Sequence, residues 1–382
     1  MRILVTGATG YIGSRLVTAL LQAGHHVIVA ARNPEKLGRF GWIDRVDVVV
    51  LDVGDPDSAR SALTVAAADG DVDVVYYLVH GIGEAGFREA DNTAAGNLAR
   101  AAAETGVKRI VYLGGFVPDD DTLSEHLAGR AEVAAALSVP DGPELVWLGA
   151  ALIIGAGSTS FEMLRYVGDR FLVLPLPGWA DNPIDPISIN DVLYYLVAAA
   201  DRTQVPAGSY DIAGPETTTY GELMRSYARL SGSTRAALPV PPIPIGLLSR
   251  VTAAVLPVPG GLAADLVASL EYPMTASDQQ LRGIVADPPG GLVGIADAIT
   301  RSLPGGRARP VDALADPHHL ADTDATWAGG DTLRLRRLAG GFLPSAVRPA
   351  LGVLCLVPKP IAGVMRAGAD TALGLLPRVF LR

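Results

Sequence analysis

Three glycines at three-residue intervals, Gly7, Gly10 and Gly13, follow the apolar run Arg2–Thr6 in MRILVTGATGYIG. That run is β-branched and leucine-rich, the pattern of a buried parallel strand. Gly7 permits a tight turn off the strand, and Gly10 removes a Cβ where backbone N–H groups approach a pyrophosphate. Gly13 lets the next helix pack close to the sheet. The amphipathic stretch Tyr11–Ala23 supplies that helix, whose N-terminus presents partial positive charge to phosphates. A glycine triplet alone also fits a surface turn. A strand before it and a helix after it make it a dinucleotide cradle, formed by Thr6, Gly7, Thr9, Gly10, Tyr11, Ile12 and Gly13.

The chain then alternates strand and helix patterns, which predicts an α/β fold with a doubly wound parallel sheet. Strands are expected at Val27–Ala31, Val46–Leu51, Val72–Val79, Val107–Leu113 and Leu145–Ile154, with a helix at Asp91–Thr105. The second strand ends Ala30-Ala31-Arg32, without the carboxylate that would accept from a ribose 2′-OH. Arg32 suits a 2′-phosphate instead, which favours NADP(H) over NAD(H); a solvated loop arginine is the plainer alternative. The fourth strand ends in His80-Gly81, on the sheet edge where ligands lie, so both are expected to contact the coenzyme. Asp191 is expected to cap a helix at Val192–Ala200, and Tyr220–Ser231 reads as a helix of a smaller domain.

The form TG-x-x-G-x-x-G resembles the extended short-chain dehydrogenase/reductase (SDR) superfamily. YYLVHGIG (76–83), RIVYLGG (109–115), GSTSFEMLR (157–165) and PIDPISINDVLYYL (183–196) look like its atypical, NmrA-like branch, related to the reductase-like accessory subunit of respiratory complex I. The resemblance covers about residues 1–303. It implies a Rossmann-type domain at 1–155 and a smaller substrate domain at 156–303, with a return to the Rossmann sheet near 183–215. It also implies that Asp52, with Val53 beside it, meets the adenine. Catalytic members of the superfamily carry a Ser or Thr after the fifth strand and then Tyr-x-x-x-Lys. Here Gly114-Gly115 stand at the hydroxyl position, and no tyrosine or lysine occurs between Leu113 and Pro143. His126 and Arg130 keep the spacing without the chemistry. They are the catalytic candidates, Arg130 as a permanent cation and His126 as a proton carrier disfavoured by that cation.

Hydrophobic residues make up 49% of the 382 positions, enough for a large core, and the mean hydropathy of +0.31 is high for a freely soluble enzyme. The net charge of −9 argues against nucleic acid as a partner. A single cysteine, Cys355, excludes an internal disulfide framework and fits a reducing cytoplasm; a strand starting at residue 2 leaves no room for a secretory signal. His318-His319 lack the spacing of a helical metal pair, so no metal site is expected. Ala236–Ala264 carries only Arg250 as a charge among six prolines, and reads as a buried part of the small domain, as a greasy lid over a lipophilic substrate, or as a surface that dips into a bilayer.

Pro304–Asp331 reads as linker or irregular cover. From Thr332 onward eight basic residues face Asp370 alone, a tail of +7 on a body of −16. Such a basic, amphipathic tail can lie on an anionic membrane surface, on the inner face of the membrane, or pack back on the acidic body. The sequence thus points to an NADP(H)-dependent oxidoreductase for a small hydrophobic carbonyl, enone or quinone. The alternative is a catalytically silent NADP(H)-binding sensor or scaffold that has lost the Tyr-x-x-x-Lys pair.

Overall fold

The computed structural model describes residues 1–81, 86–116, 125–171, 173–232, 235–240, 256–259, 266–303, 308–334, 337, 365 and 368; side chains of 125–128 are outside it. Seven strands build the main sheet: β1 (Arg2–Val5), β2 (His26–Ala31), β3 (Asp47–Val50), β4 (Val74–Tyr77), β5 (Arg109–Gly115), β6 (Glu144–Ala150) and, later in the chain, β11 (Gly208–Asp211). Their order is β11-β6-β5-β4-β1-β2-β3, and every pairing is parallel. The order reverses between β1 and β4, where an open α/β sheet leaves its ligand crevice.

The two-residue period of each strand splits the core into two layers. Ile3, Val5 and Tyr76 pack on one face with Leu16 and Leu20 of α1 (Tyr11–Gln22). Leu4, Val75 and Tyr77 pack on the other with α2 (Pro56–Ala66), α3 (Phe87–Glu104) and α4 (Glu125–Leu137). Two large polar side chains inside these layers are tied to the backbone. The Tyr76 hydroxyl donates to the Leu196 carbonyl at 2.6 Å. Fully buried Arg109 donates to the Ala199 carbonyl at 2.9 Å and pairs with Glu144 at 3.0 Å.

The expected sixth strand is interrupted. β6 stops at Ala150, and after Ala151-Leu152 a separate β7 (Ile153–Ile154) pairs with β10 (Ile187–Ser188). That break turns the chain off the sheet edge and into the smaller layer. There α5 (Thr159–Arg170) and α7 (Tyr220–Leu230) pack together around Phe161, Leu164, Leu223, Met224 and Tyr227. Short strands complete it: β8 (Leu174–Leu176) with β13 (Ala237–Pro239), and β9 (Pro183–Ile184) with β12 (Thr218–Thr219). Most of Ala236–Ala264 lies outside the described residues, as does the tail apart from its first few positions and isolated residues.

Ser188, not Asp191, caps α6 (Ile189–Ala199): its hydroxyl accepts from the Asn190 N–H at 3.0 Å. Asp191 is fully buried one turn inside and accepts instead from the Val293 N–H at 2.8 Å. Both residue types favour helix starts, and the long-range amide draws the aspartate away.

Residues 308–334 form an anchored cover. Arg15 of α1 makes two bonds of 2.8 Å to Asp324 and donates to the carbonyls of Pro317 and His319. Arg170 pairs with Asp331 at 2.5 Å, and buried Glu162 accepts from the amides of Gly157 and Gly329, both at 3.0 Å. His318, expected to hold no metal, bridges Ser188 at 2.9 Å and Asp316 at 2.6 Å. Arg337, at the root of the basic tail, donates to the carbonyls of Thr326 and Ala328.

Candidate functional site

Gly7 adopts φ +68, and a Cβ there would stand 2.4 Å from the Leu78 carbonyl oxygen. A Cβ on Gly13 would meet the Gly7 carbonyl at 2.3 Å, so helix and turn close only over bare backbone. Gly10 is the extended residue before α1 and lies exposed, leaving the helix N-terminus open to a phosphate. Thr9 is exposed beside it, and Tyr11 and Ile12 line the cleft that opens above. Thr6 serves differently. Its buried hydroxyl donates to the Tyr76 carbonyl at 2.9 Å and accepts from the Leu78 amide at 3.2 Å, fastening β1 to β4 under the turn.

At the adenosine end, Arg32 follows β2, exposed and with no ion pair among the described residues. Lys36 and Arg39 sit in the next turn of chain, Pro34–Arg39, with Glu35 as its one acid; this basic reinforcement is visible in sequence but needs the fold to gain meaning. Asp52 is exposed, and one carboxylate oxygen accepts from the Gly54 N–H at 3.0 Å, which fixes the turn and leaves the other oxygen outward. Val53 is half-buried beside it, its carbonyl held by Asn97 at 3.1 Å.

At the opposite end, His80 and Arg130 line the cleft together with Gly114 and Gly115. His80 is exposed toward the cleft and walled in elsewhere; that enclosure, and secondly the Arg130 charge, hold its pKa below the ordinary histidine range. Gly81 is spoken for: its N–H donates to the Asp91 carboxylate at 2.8 and 3.0 Å, an anchor on α3 that local sequence spacing gave no reason to suspect. Arg130 is half-buried on α4, beside Gly115, and hydrogen-bonds the Tyr112 hydroxyl. His126 lies one turn earlier on the same helix backbone, and its side chain is outside the described residues.

The glycine turn and the His80–Arg130 end border one cleft of about 410 Å³, with Arg32, Asp52 and Val53 outside its lining. The glycine turn forms its floor, and Leu152, Met163, Val167, Met224, Leu270 and Met274 form much of its wall. Among the described lining residues Arg130 and His80 are the sole basic groups, and no Asp or Glu lines the cleft. The residues present fit a dinucleotide: bare backbone at the turn, a free helix end, and a dry chamber beyond the carboxyl ends of β5 and β6.

Comparison with known proteins agrees. Residues 7–138 match a family model described as NAD(P)H-binding. With the sheet order, this defines the class: a Rossmann-type α/β protein whose N-terminal part matches an NAD(P)H-binding family. The chain is 33% identical over 257 residues to an uncharacterized protein of Mycobacterium tuberculosis, covering 66% of this chain and a quarter (25%) of that protein's length. It is 28% identical over 229 residues to the mitochondrial NADH dehydrogenase [ubiquinone] 1 alpha subcomplex subunit 9 of Arabidopsis thaliana, covering 57% of this chain and 55% of the relative. Two solved structures share the fold. A nucleoside-diphosphate-sugar epimerase of Staphylococcus aureus has 19% identity and a TM-score of 0.62, over 78% of this chain and 100% of that one. The triphenylmethane reductase of a Citrobacter species, complexed with NADP(H), has 20% identity and a TM-score of 0.58, over 79% and 99%.

Proposed function

We propose that the chain is an NADP(H)-dependent oxidoreductase of the NmrA-like branch, reducing a hydrophobic carbonyl, enone or quinone-like molecule. The observation that carries this reading is the continuity of the glycine turn with an apolar chamber, in one cleft. Arg32, the absence of a carboxylate at the end of β2, and the NADP(H) bound by the Citrobacter reductase support the phosphorylated coenzyme.

Gly7, Gly10 and the α1 N-terminus would hold the pyrophosphate, and Arg32 the 2′-phosphate. The bound coenzyme supplies a hydride. The chain's own part is to orient the substrate, exclude water with its leucine and methionine wall, and oppose developing negative charge. Arg130 does the last, since a guanidinium stays protonated at any working pH. His80, held neutral, offers a hydrogen bond at the same end. Neither replaces the tyrosine of Tyr-x-x-x-Lys as an acid. Quinones and enones fit this limit, because their reduced anions take a proton from water.

The second reading, a silent NADP(H)-binding sensor or scaffold, is favoured by Gly114-Gly115 standing where a catalytic hydroxyl is expected. NADPH oxidation with a panel of quinones, enones and aldehydes separates the two. The enzyme reading expects turnover that falls at least about tenfold in Arg130→Ala, the size of one lost charge interaction. Tight NADPH binding with no oxidation above the buffer rate leaves only the silent module.

A further inference from the structure

Two polar-tipped aromatic side chains stand together in the apolar wall of the cleft. Trp179, in the short helical turn Gly178–Asp181, and Tyr220, the first residue of α7, meet edge to face with ring centroids 6.0 Å apart and planes at 85°. Both line the cleft. The Trp179 indole N–H is buried with no acceptor. Tyr220 is 8% exposed, and its hydroxyl makes no hydrogen bond among the described residues. Burial alone drives its pKa up, with no charged neighbour contributing, so it remains an O–H donor throughout the working pH range.

Buried tyrosine and tryptophan tips ordinarily find a partner, and one left without is destabilising. Of the other orphaned aromatic tips, Tyr77 and Trp147 belong to the layer on the far face of the sheet and do not line the cleft, and the Tyr11 hydroxyl lies against Gly155 at the glycine-turn end. Trp179 and Tyr220 differ because they stand together in the apolar wall, with open ligand space beside them. Tyr220 packs with Phe116, Ile184 and Met274, and Phe116 directly follows β5. The pair therefore stands beyond the carboxyl end of the central strands, on the side where ligands of such sheets lie.

We propose that Trp179 and Tyr220 supply the hydrogen-bond donors that select the substrate, which is a largely apolar molecule carrying carbonyl oxygen. The apolar wall accepts many greasy molecules; the two donors discriminate, because only an acceptor-bearing ligand relieves their missing bonds. This rests on reading the cleft as the substrate site, and binding without turnover tests it separately.

The experiment uses two matched pairs: 2-methyl-1,4-naphthoquinone with 2-methylnaphthalene, and 9-fluorenone with fluorene. Equilibrium affinity for each is measured on the full chain, with and without saturating NADP⁺, for the wild type, Tyr220→Phe and Trp179→Phe. The wild type is expected to bind at least one ketone about tenfold more tightly than its hydrocarbon, the worth of roughly one net hydrogen bond. Each variant is expected to lose most of that preference while hydrocarbon affinity changes less than about twofold. Unliganded Tyr220→Phe should melt no lower than wild type, since it deletes an unpaired hydroxyl; a structural role for that hydroxyl would lower the melting point. Equal affinity for ketone and hydrocarbon in the wild type, preference retained in both variants, or no binding of any of the four compounds overturns the proposal. NADPH titration of the same samples keeps the two failures apart: intact coenzyme binding leaves the dinucleotide reading standing.

Discussion

Arg32 is the residue on which coenzyme choice turns, because it ends β2 without a competing carboxylate or ion partner among the described residues. A charge-assisted contact to a 2′-phosphate contributes about 1.5–3 kcal/mol. Arg32→Ala should therefore weaken NADPH binding about tenfold or more and leave NADH binding within about twofold, as read by fluorescence titration. Equal loss for both coenzymes would place Arg32 elsewhere. His80 gives a pH signature. Desolvation by the protein around it first, and the Arg130 charge second, disfavour its imidazolium although the ring is open to the cleft, so its folded pKa lies below the unfolded value of about 6.5. The unfolded chain then binds the extra proton as pH falls through the window below 6.5, and His80 subtracts stability there while adding no charge near neutrality. Its ring proton resonances should titrate below pH 6.5; a midpoint at or above that value would contradict the placement. The glycine turn was legible in sequence because most of its chemistry is local: Gly10 and Gly13 close on Gly7 within six positions, and only the approach of Gly7 to Leu78 needs the fold. Gly81 was not, since the Asp91 carboxylate that engages its amide is brought close only by the fold of α3.

Among the elements, the cover formed by 308–334 owes the least of its anchoring to local sequence pattern. Glycine, proline and aspartate there read as linker or irregular cover; it is a cover, and Arg15–Asp324 and Arg170–Asp331 are buried pairs, joined across 309 and 161 positions. No local rule pairs an arginine on the nucleotide helix with an aspartate so far along the chain. Asp324→Ala strands the Arg15 guanidinium in the interior and should cost about 3–5 kcal/mol of unfolding free energy. Arg15→Met combined with Asp324→Leu removes both charges and should cost less than the single change, as measured by denaturant unfolding. A single variant within about 1 kcal/mol of wild type would show that the cover is not held through this pair. The same lesson explains β6 and β7: hydrophobicity runs unbroken from Leu145 to Ile154, but β7 finds its partner in β10 and leaves the sheet. Thr219-Tyr220-Gly221-Glu222, by contrast, announces its helix locally, and Thr219 accepts from the Glu222 amide at 3.2 Å.

At the scale of the molecule, a parallel seven-stranded sheet presents an intact glycine turn to an apolar chamber roofed by the smaller layer, while the anchored cover fastens α1 to α5. The fold class and the coenzyme end follow from sequence because strand period and turn chemistry are short-range. The substrate end does not, because its wall is assembled from β6, α5, α7 and the segment around Met274, none of which carries a local signature of ligand contact. What the whole arrangement requires first is a coenzyme in the cleft. Titration of the purified full chain with NADPH and with NADH, by calorimetry at fixed ionic strength, tests this most directly. One equivalent of NADPH should bind, more tightly than NADH; no heat and no shift in melting point with either coenzyme would contradict it.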